Sequence, residues 1–182
     1  MRRCSTVHPS VIEEEDDVRV IDKIPLPELH ILMGVVNHIF WGKGGLISSL
    51  KRTQDDDHLW AEAKVISWAS KSGAVSKSYH GRVFEGGACR KLQLKSGHLA
   101  SHEYLEDVKN KNQVIAISNT LQAMNRLVDA CFGNDLKGNV GILLDEFALL
   151  YKSLNMTTTL KVHVLMEHLI QIWQILEARE WD

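Results

Sequence analysis

Cysteine is scarce in this sequence: Cys4, Cys89 and Cys131 are the only three in 182 residues. They are odd in number and widely spaced, which excludes a secreted-type disulfide framework. With no Cys-x-x-Cys pair, a self-contained zinc knuckle is excluded as well, and a reducing, intracellular setting is expected. Long apolar runs are missing too. His, Asn and Gly interrupt every apolar stretch well short of the roughly 20 residues that a membrane helix needs. The basic start Met1-Arg2-Arg3 is not followed by the apolar segment of a secretory leader, so a soluble chain with no membrane partner is expected. There is no charge of one sign in excess: 21 Lys plus Arg face 23 Asp plus Glu, a formal net charge of -2. The global basic signature of a nucleic-acid binder is therefore absent, and any contact with DNA has to be local. Alternating apolar and polar runs are missing apart from one short stretch at Arg82 to Phe84, so no sheet is expected.

What the sequence does contain is helical periodicity. Residues 1–24 lack it and carry the acidic run Glu13 to Asp17, which reads as an extended, solvated lead-in. Pro25 and Pro27 suit a helix entry, where the missing N–H costs nothing. From there Leu29, Leu32, Val35, Val36, Ile39 and Phe40 line one face of a helix running to Trp41, ended by Gly42, Gly44 and Gly45. Asp55 to Asp57 open a second helix whose expected buried side is Leu59, Trp60, Ala63, Ile66 and Ala69. A Ser- and Gly-rich loop over 71–87 follows, then a short helix from Ala88 to Lys95 and another from His102 to Lys109. The longest amphipathic stretch carries Val114, Ile117, Leu121, Met124, Leu127, Val128, Cys131 and Phe132, with Gly133 as its cap. Two more helices are expected. One spans Gly141 to Leu154 around Leu143, Leu144, Phe147, Leu150 and Tyr151. The other opens after Thr157-Thr158-Thr159 and carries Leu165, Leu169, Ile172, Trp173 and Leu176. The fold class is all-α: an irregular bundle of six to seven helices over residues 25–182 around one core, with no internal repeat.

Few groups stand out chemically. His163 and His168 have a spacing found in paired zinc ligands, but on a regular helix residues five apart point about 140° away from each other. Both could hold one ion only at a distorted helix start, and two histidines are half of a tetrahedral set. The alternative is a pair of histidines at the core's edge. Tyr79 and His80, followed by the glycine turn Gly86-Gly87 and the basic pair Arg90 and Lys91, could present a helix entry and two cations to a DNA phosphate. The same stretch also reads as an ordinary solvated turn. His30, Asn37 and His38 border the buried face of the first helix, where polar groups are usually satisfied by neighbouring backbone. Cys89 and Cys131 read as small buried residues, since no base can be assigned to either.

Four stretches, taken in order, resemble one family. They are Leu26-Pro27-Glu28-Leu29-His30 through Gly34-Val35-Val36-Asn37-His38; Tyr79-His80-Gly81 through Phe84-Glu85-Gly86 to Cys89-Arg90-Lys91-Leu92; Phe147 to Tyr151; and Leu160-Lys161-Val162-His163 to His168. Together they look like the helical region inserted late in the RNase H-like core of invertebrate transposon-encoded DDE transposases. More distantly they are similar to Transib transposases and the vertebrate recombination-activating recombinase. The resemblance covers residues 25 to about 176. It implies that His163 and His168 are the His half of a zinc site whose Cys-x-x-Cys half lies upstream in a longer parent. It also implies that the family's catalytic aspartates precede this region and its catalytic glutamate follows; Glu180 is not assigned that role.

The expected function is therefore a catalytically inactive fragment or domesticated remnant of a DDE transposase. It would bind DNA weakly and without sequence preference through Tyr79, His80, Arg90 and Lys91. No cofactor is expected in this chain alone, zinc only in a full-length parent, and a nuclear location if the transposase role persists. The remaining partner would be the rest of a transposase or another protein. The alternative is a helical interaction or structural domain with no nucleic-acid role, and a metalloenzyme built on His163 and His168 comes last.

Overall fold

A computed structural model describes the backbone of residues 28–50, 57–76, 83–132 and 139–179, and side chains over 30–50, 59–76, 83–131 and 139–170. The lead-in expected over 1–24 and the Gly133 cap lie outside these residues. The described chain is helical. Its elements are α1 (Glu28–Trp41), α2 (Leu46–Leu50), α3 (Asp57–Lys71), α4 (Gly86–Leu94), a 3-10 turn (Ser96–Ala100), α5 (His102–Leu105), α6 (Lys111–Phe132), α7 (Val140–Ser153) and α8 (Leu160–Arg179). No strand occurs among the described residues, and the Val83–Phe84 part of the short strand expected over Arg82 to Phe84 is irregular backbone.

Two helices organise the rest. α6, 22 residues and about 33 Å long, packs against α7 on one side and against α2, α4 and the 3-10 turn on the other. It can serve both sides because its buried positions exceed one stripe: Val114, Ile117, Leu121 and Met124 are joined by the small residues Ser118, Thr120, Ala123 and Ala130. Ser118 uses that closeness to donate its hydroxyl to the Ser96 carbonyl at 2.8 Å, fixing the 3-10 turn on α6. α1 packs against α2, α4 and α8, burying Leu32, Val35, Val36, Ile39 and Phe40 completely or nearly so.

The turns are set by hydrogen bonds that leave little backbone unpaired. After α1, Gly45 N–H donates to Gly42 and Gly44 takes a left-handed φ of 81° that a side chain would resist. α7 opens on Asn139, whose side chain accepts from Ile142 N–H as an N-cap. It closes through Asn155 at φ 53°, a conformation asparagine tolerates best after glycine. The Thr157 carbonyl then accepts from Tyr151 Oη at 2.9 Å and from His38 Nε2 at 2.8 Å, tying the end of α1 to the α7–α8 linker. Gln113 donates to both Gly44 and Leu154 carbonyls, so one α6 side chain holds two separate turns.

The structure corrects one face. α3 buries Ala61, Val65, Trp68 and Ala69, while Leu59 is 74% exposed and Ile66 36%. Positions 61, 65 and 68 lie about 200° around the helix from 59, 63 and 66, so Leu59, Ala63 and Ile66 of the expected side point outward, while Ala69 is buried and Trp60 partly so, as expected. Trp68 decides the matter: its indole stacks on Phe40 of α1 at 5.8 Å between ring centroids, and no residue of the Leu59 stripe could bury as much surface. Two other differences are of extent. The helix expected from His102 to Lys109 stops at Leu105, and α2 and the 3-10 turn fill stretches where no element was expected.

Candidate functional site

An aromatic series runs from α1 to the surface. Asn37 begins it. Its side-chain oxygen accepts from Phe84 N–H at 2.8 Å and its amide donates to the Phe84 and Met33 carbonyls, both at 2.8 Å. Only one orientation of the amide satisfies all three, and it pins the irregular 83–85 segment as a strand partner would. Phe84 then packs edge-on to Phe40 at 5.5 Å and stacks with Trp41 at 5.9 Å. Phe40 stacks on Trp68, and Trp68 meets Tyr104 of α5 at 6.4 Å.

Trp68 and Tyr104 line a cavity of about 360 Å³ between α3 and the 3-10 turn with α5. From α3 come Lys64, Ser67 and Lys71, which recur at helical steps on Trp68's side of the helix, with Ser72 just beyond its end. Lys95, His98, Ser101 and Glu103 supply the opposite wall. The lining therefore carries three ammonium groups and several hydroxyls against a single carboxylate. Lys64 Nζ lies 4.9 Å from the Tyr104 ring centroid and 5.0 Å from that of Trp60, a cation held over two π faces. Lys71 approaches Glu103 at 3.9 Å, but both side chains are mostly exposed, so that pair holds neither in place.

Two donor atoms are buried behind this wall. Trp68 is 6% exposed, and neither its Nε1 nor the buried Tyr104 hydroxyl has a hydrogen-bond partner among the described residues. A buried donor left without an acceptor costs about 1–3 kcal/mol. Burial also raises the Tyr104 pKa, which keeps its proton on and available.

The residues singled out from sequence fall in different places. Tyr79 and His80 lie outside the described residues. Arg90 and Lys91 do not converge. Arg90 turns to α6, where its guanidinium binds Asn125 Oδ1 at 2.7 Å and pairs with Asp129. Asp129 in turn accepts from Asn125. Lys91 turns the other way and donates to the Gly73 carbonyl at 2.9 Å, next to Ser72 of the cavity wall. The basic pair is thus split between a structural ion pair and the cavity's margin. Lys91 and Lys95, one turn apart, continue the cationic lining of α3 as a strip.

His163 and His168 come together as rings 5.5 Å apart and nearly perpendicular, at 84°. α8 begins at Leu160 and runs through both without a break. Among the described residues no group of three or more His, Cys, Asp or Glu is placed to hold a metal ion. Two imidazoles alone do not fit a closed structural zinc site. The purified chain should accordingly carry well under one zinc per molecule, and a chelator should move its Tm by no more than about 2 °C. Metal analysis showing one zinc per chain, with unfolding on its removal, would contradict this.

Cys89 is buried, its thiol donating to the Phe84 carbonyl at 3.4 Å. Burial pushes its pKa up from 9.0 to about 12, with a backbone hydrogen bond opposing. The folded chain thus holds a proton that the unfolded chain releases above 9.0. Its stabilising effect is complete below that pH and is lost as the pH climbs toward 12. Between about pH 8 and about pH 10.5, the wild-type Tm should fall further than that of Cys89→Ala. Equal falls would show that this thiol does not contribute.

Comparison with family models, curated proteins and solved structures returns no match. The cavity was not marked in the sequence, because its cations come from two segments, α3 and the end of α4, with no motif spacing between them. The one readable signal was Lys64, Ser67 and Lys71 on a helical face with Trp68.

Proposed function

We propose that this chain is a non-catalytic helical domain of DDE transposase or recombinase descent that binds nucleic-acid backbone, weakly and without sequence preference. The descent rests on the order of the four sequence stretches and on nothing else. The binding rests on one observation: Lys64, Lys71, Lys91 and Lys95 gather along α3 and α4 at the cavity margin, where Glu103 is the one carboxylate among the lining residues. Cations so placed fix position on phosphates and read no bases. Zinc, in this reading, belongs to a longer parent that would complete His163 and His168, and a nuclear location follows if DNA is the ligand.

The test is fluorescence anisotropy on a labelled duplex at low salt. Lys71→Ala with Lys91→Ala should weaken binding on the order of tenfold, since two charge-assisted phosphate contacts go. Arg90→Ala should change it little because Arg90 is engaged by Asp129. No cleavage is expected with magnesium or manganese. Binding unchanged by the lysine pair, or lost with Arg90 alone, would overturn this assignment.

A protein-interaction role is the second reading. It is favoured by exposed apolar side chains: Leu59 and Ile66 two turns apart on α3, and Ile142 and Leu149, 65% and 72% exposed, two turns apart on α7. Binding to DNA that ignores salt, or no binding at all, would move the weight to those faces.

A further inference from the structure

We infer that the outward face of α7 is a homodimerisation surface, on which a second copy of this chain docks antiparallel about a two-fold axis near Leu149. The inference is independent of phosphate binding, since the lysine strip belongs to α3 and α4. It names one occupant for a face that a protein-interaction role leaves open.

The face follows from the helical repeat. α7 buries Val140, Leu144, Phe147 and Tyr151 against the rest of the chain. Ile142, Asp145, Leu149 and Lys152 recur at steps of three, four and three, within about 80° of one another and opposite the buried side. All four are exposed, Ile142 at 65% and Leu149 at 72%. This is the spacing with which one helix seats its side chains against another.

The order of charges around Leu149 selects a second copy as the occupant. Glu146, the neighbouring carboxylate of α7, is paired with Arg126 of α6. Asp145 and Lys152 take part in no ion pair among the described residues. They carry opposite charges and stand about 10.5 Å apart along the axis, one on each side of Leu149. A two-fold axis near Leu149, perpendicular to the helix, reverses that order in the second copy. Leu149 then packs on its own counterpart, and each Asp145 faces Lys152 of the other copy, so the symmetry forms two ion pairs. A parallel arrangement would set like charge on like at both positions, which is repulsive. An isologous contact needs a single self-complementary patch, and this stripe supplies one.

The experiment is sedimentation equilibrium of the full chain at concentrations up to about 1 mM, because one helix face buries less than the roughly 800 Å² per partner of a standard interface and associates weakly. Asp145→Lys and Lys152→Asp should each weaken dimerisation about tenfold, as two attractive pairs become repulsive. Both positions are exposed, so circular dichroism and Tm should show each variant folded like the wild type. Mixed in equal amounts, the two variants should associate within about threefold of the wild-type affinity, because one now carries two cations on the face and the other two carboxylates. Leu149→Ser should weaken the wild-type dimer at least about tenfold. A wild-type chain that stays monomeric throughout would overturn the inference. So would a dimer indifferent to Leu149→Ser, or charge variants whose mixture associates no better than either alone. Salt-dependent duplex binding by a chain that stays monomeric would leave the lysine strip standing while this inference fell, and a dimer that binds no duplex would do the reverse.

Discussion

Phe40→Ala is expected to cost roughly 3–5 kcal/mol in denaturant unfolding, the range for removing a buried phenyl ring. Phe40 is fully buried and contacts two other aromatics from different parts of the chain, Trp68 on α3 and Phe84 before α4. Removing the ring leaves a void between three segments that are each fixed by other contacts, so the site cannot easily collapse to fill it. Phe40→Leu should retain most of the packing and cost much less. A loss below about 2 kcal/mol for Phe40→Ala would mean that α1, α3 and the 83–85 segment can close over the gap. The aromatic series would then not hold α3 in place.

Asn37→Ala comes next, at roughly 2–4 kcal/mol, because one substitution strips partners from both backbone groups of the fully buried Phe84. Asn37→Asp should not rescue it. A carboxylate can accept from Phe84 N–H, but it sets oxygen against the Phe84 and Met33 carbonyls where the amide donated. Chemical denaturation of both variants checks this. If Asn37→Asp matched the wild type, the Cys89 thiol would suffice for the Phe84 carbonyl and the latch would be one-sided. These two residues matter beyond stability, since Phe84 and Phe40 back the Trp68 ring that forms the cavity wall.

The all-α fold was legible because its main helices carry unambiguous stripes. Leu32, Val35, Val36 and Ile39 in α1, and Ile117, Leu121 and Met124 in α6, repeat at steps of three and four and are buried where those steps place them. α3 misled for a physical reason. It carries apolar residues on opposite faces, Leu59 with Ile66 and Val65 with Trp68, and periodicity cannot choose between two stripes when the decision lies in a ring stacked on another helix. α2 and the 3-10 turn, five residues each, are too short to show a period. Arg90 and Lys91 are adjacent in sequence, yet neighbours on a helix diverge by about 100°, and Asp129 on α6 captured one of them. The cavity was harder still, because Lys71 and Lys95 meet only after α3, α4 and the turn have packed.

On the proposed reading, this arrangement would let a chain with no net basic charge bind phosphate locally. Four lysines of 21 basic residues are brought to one margin, while Arg90 and Arg126 are engaged by Asp129 and Glu146. A local group of cations of this kind suits weak, positional contact with a backbone.

The salt dependence of duplex binding tests that claim most directly. Each phosphate neutralised releases counterions, so the logarithm of the association constant should fall linearly with the logarithm of salt concentration. Three to four lysine contacts predict a slope of about -3 to -4, and Lys71→Ala should make it shallower by about 1. A slope near zero, or one unchanged in Lys71→Ala, would contradict the assignment of this strip to nucleic-acid backbone.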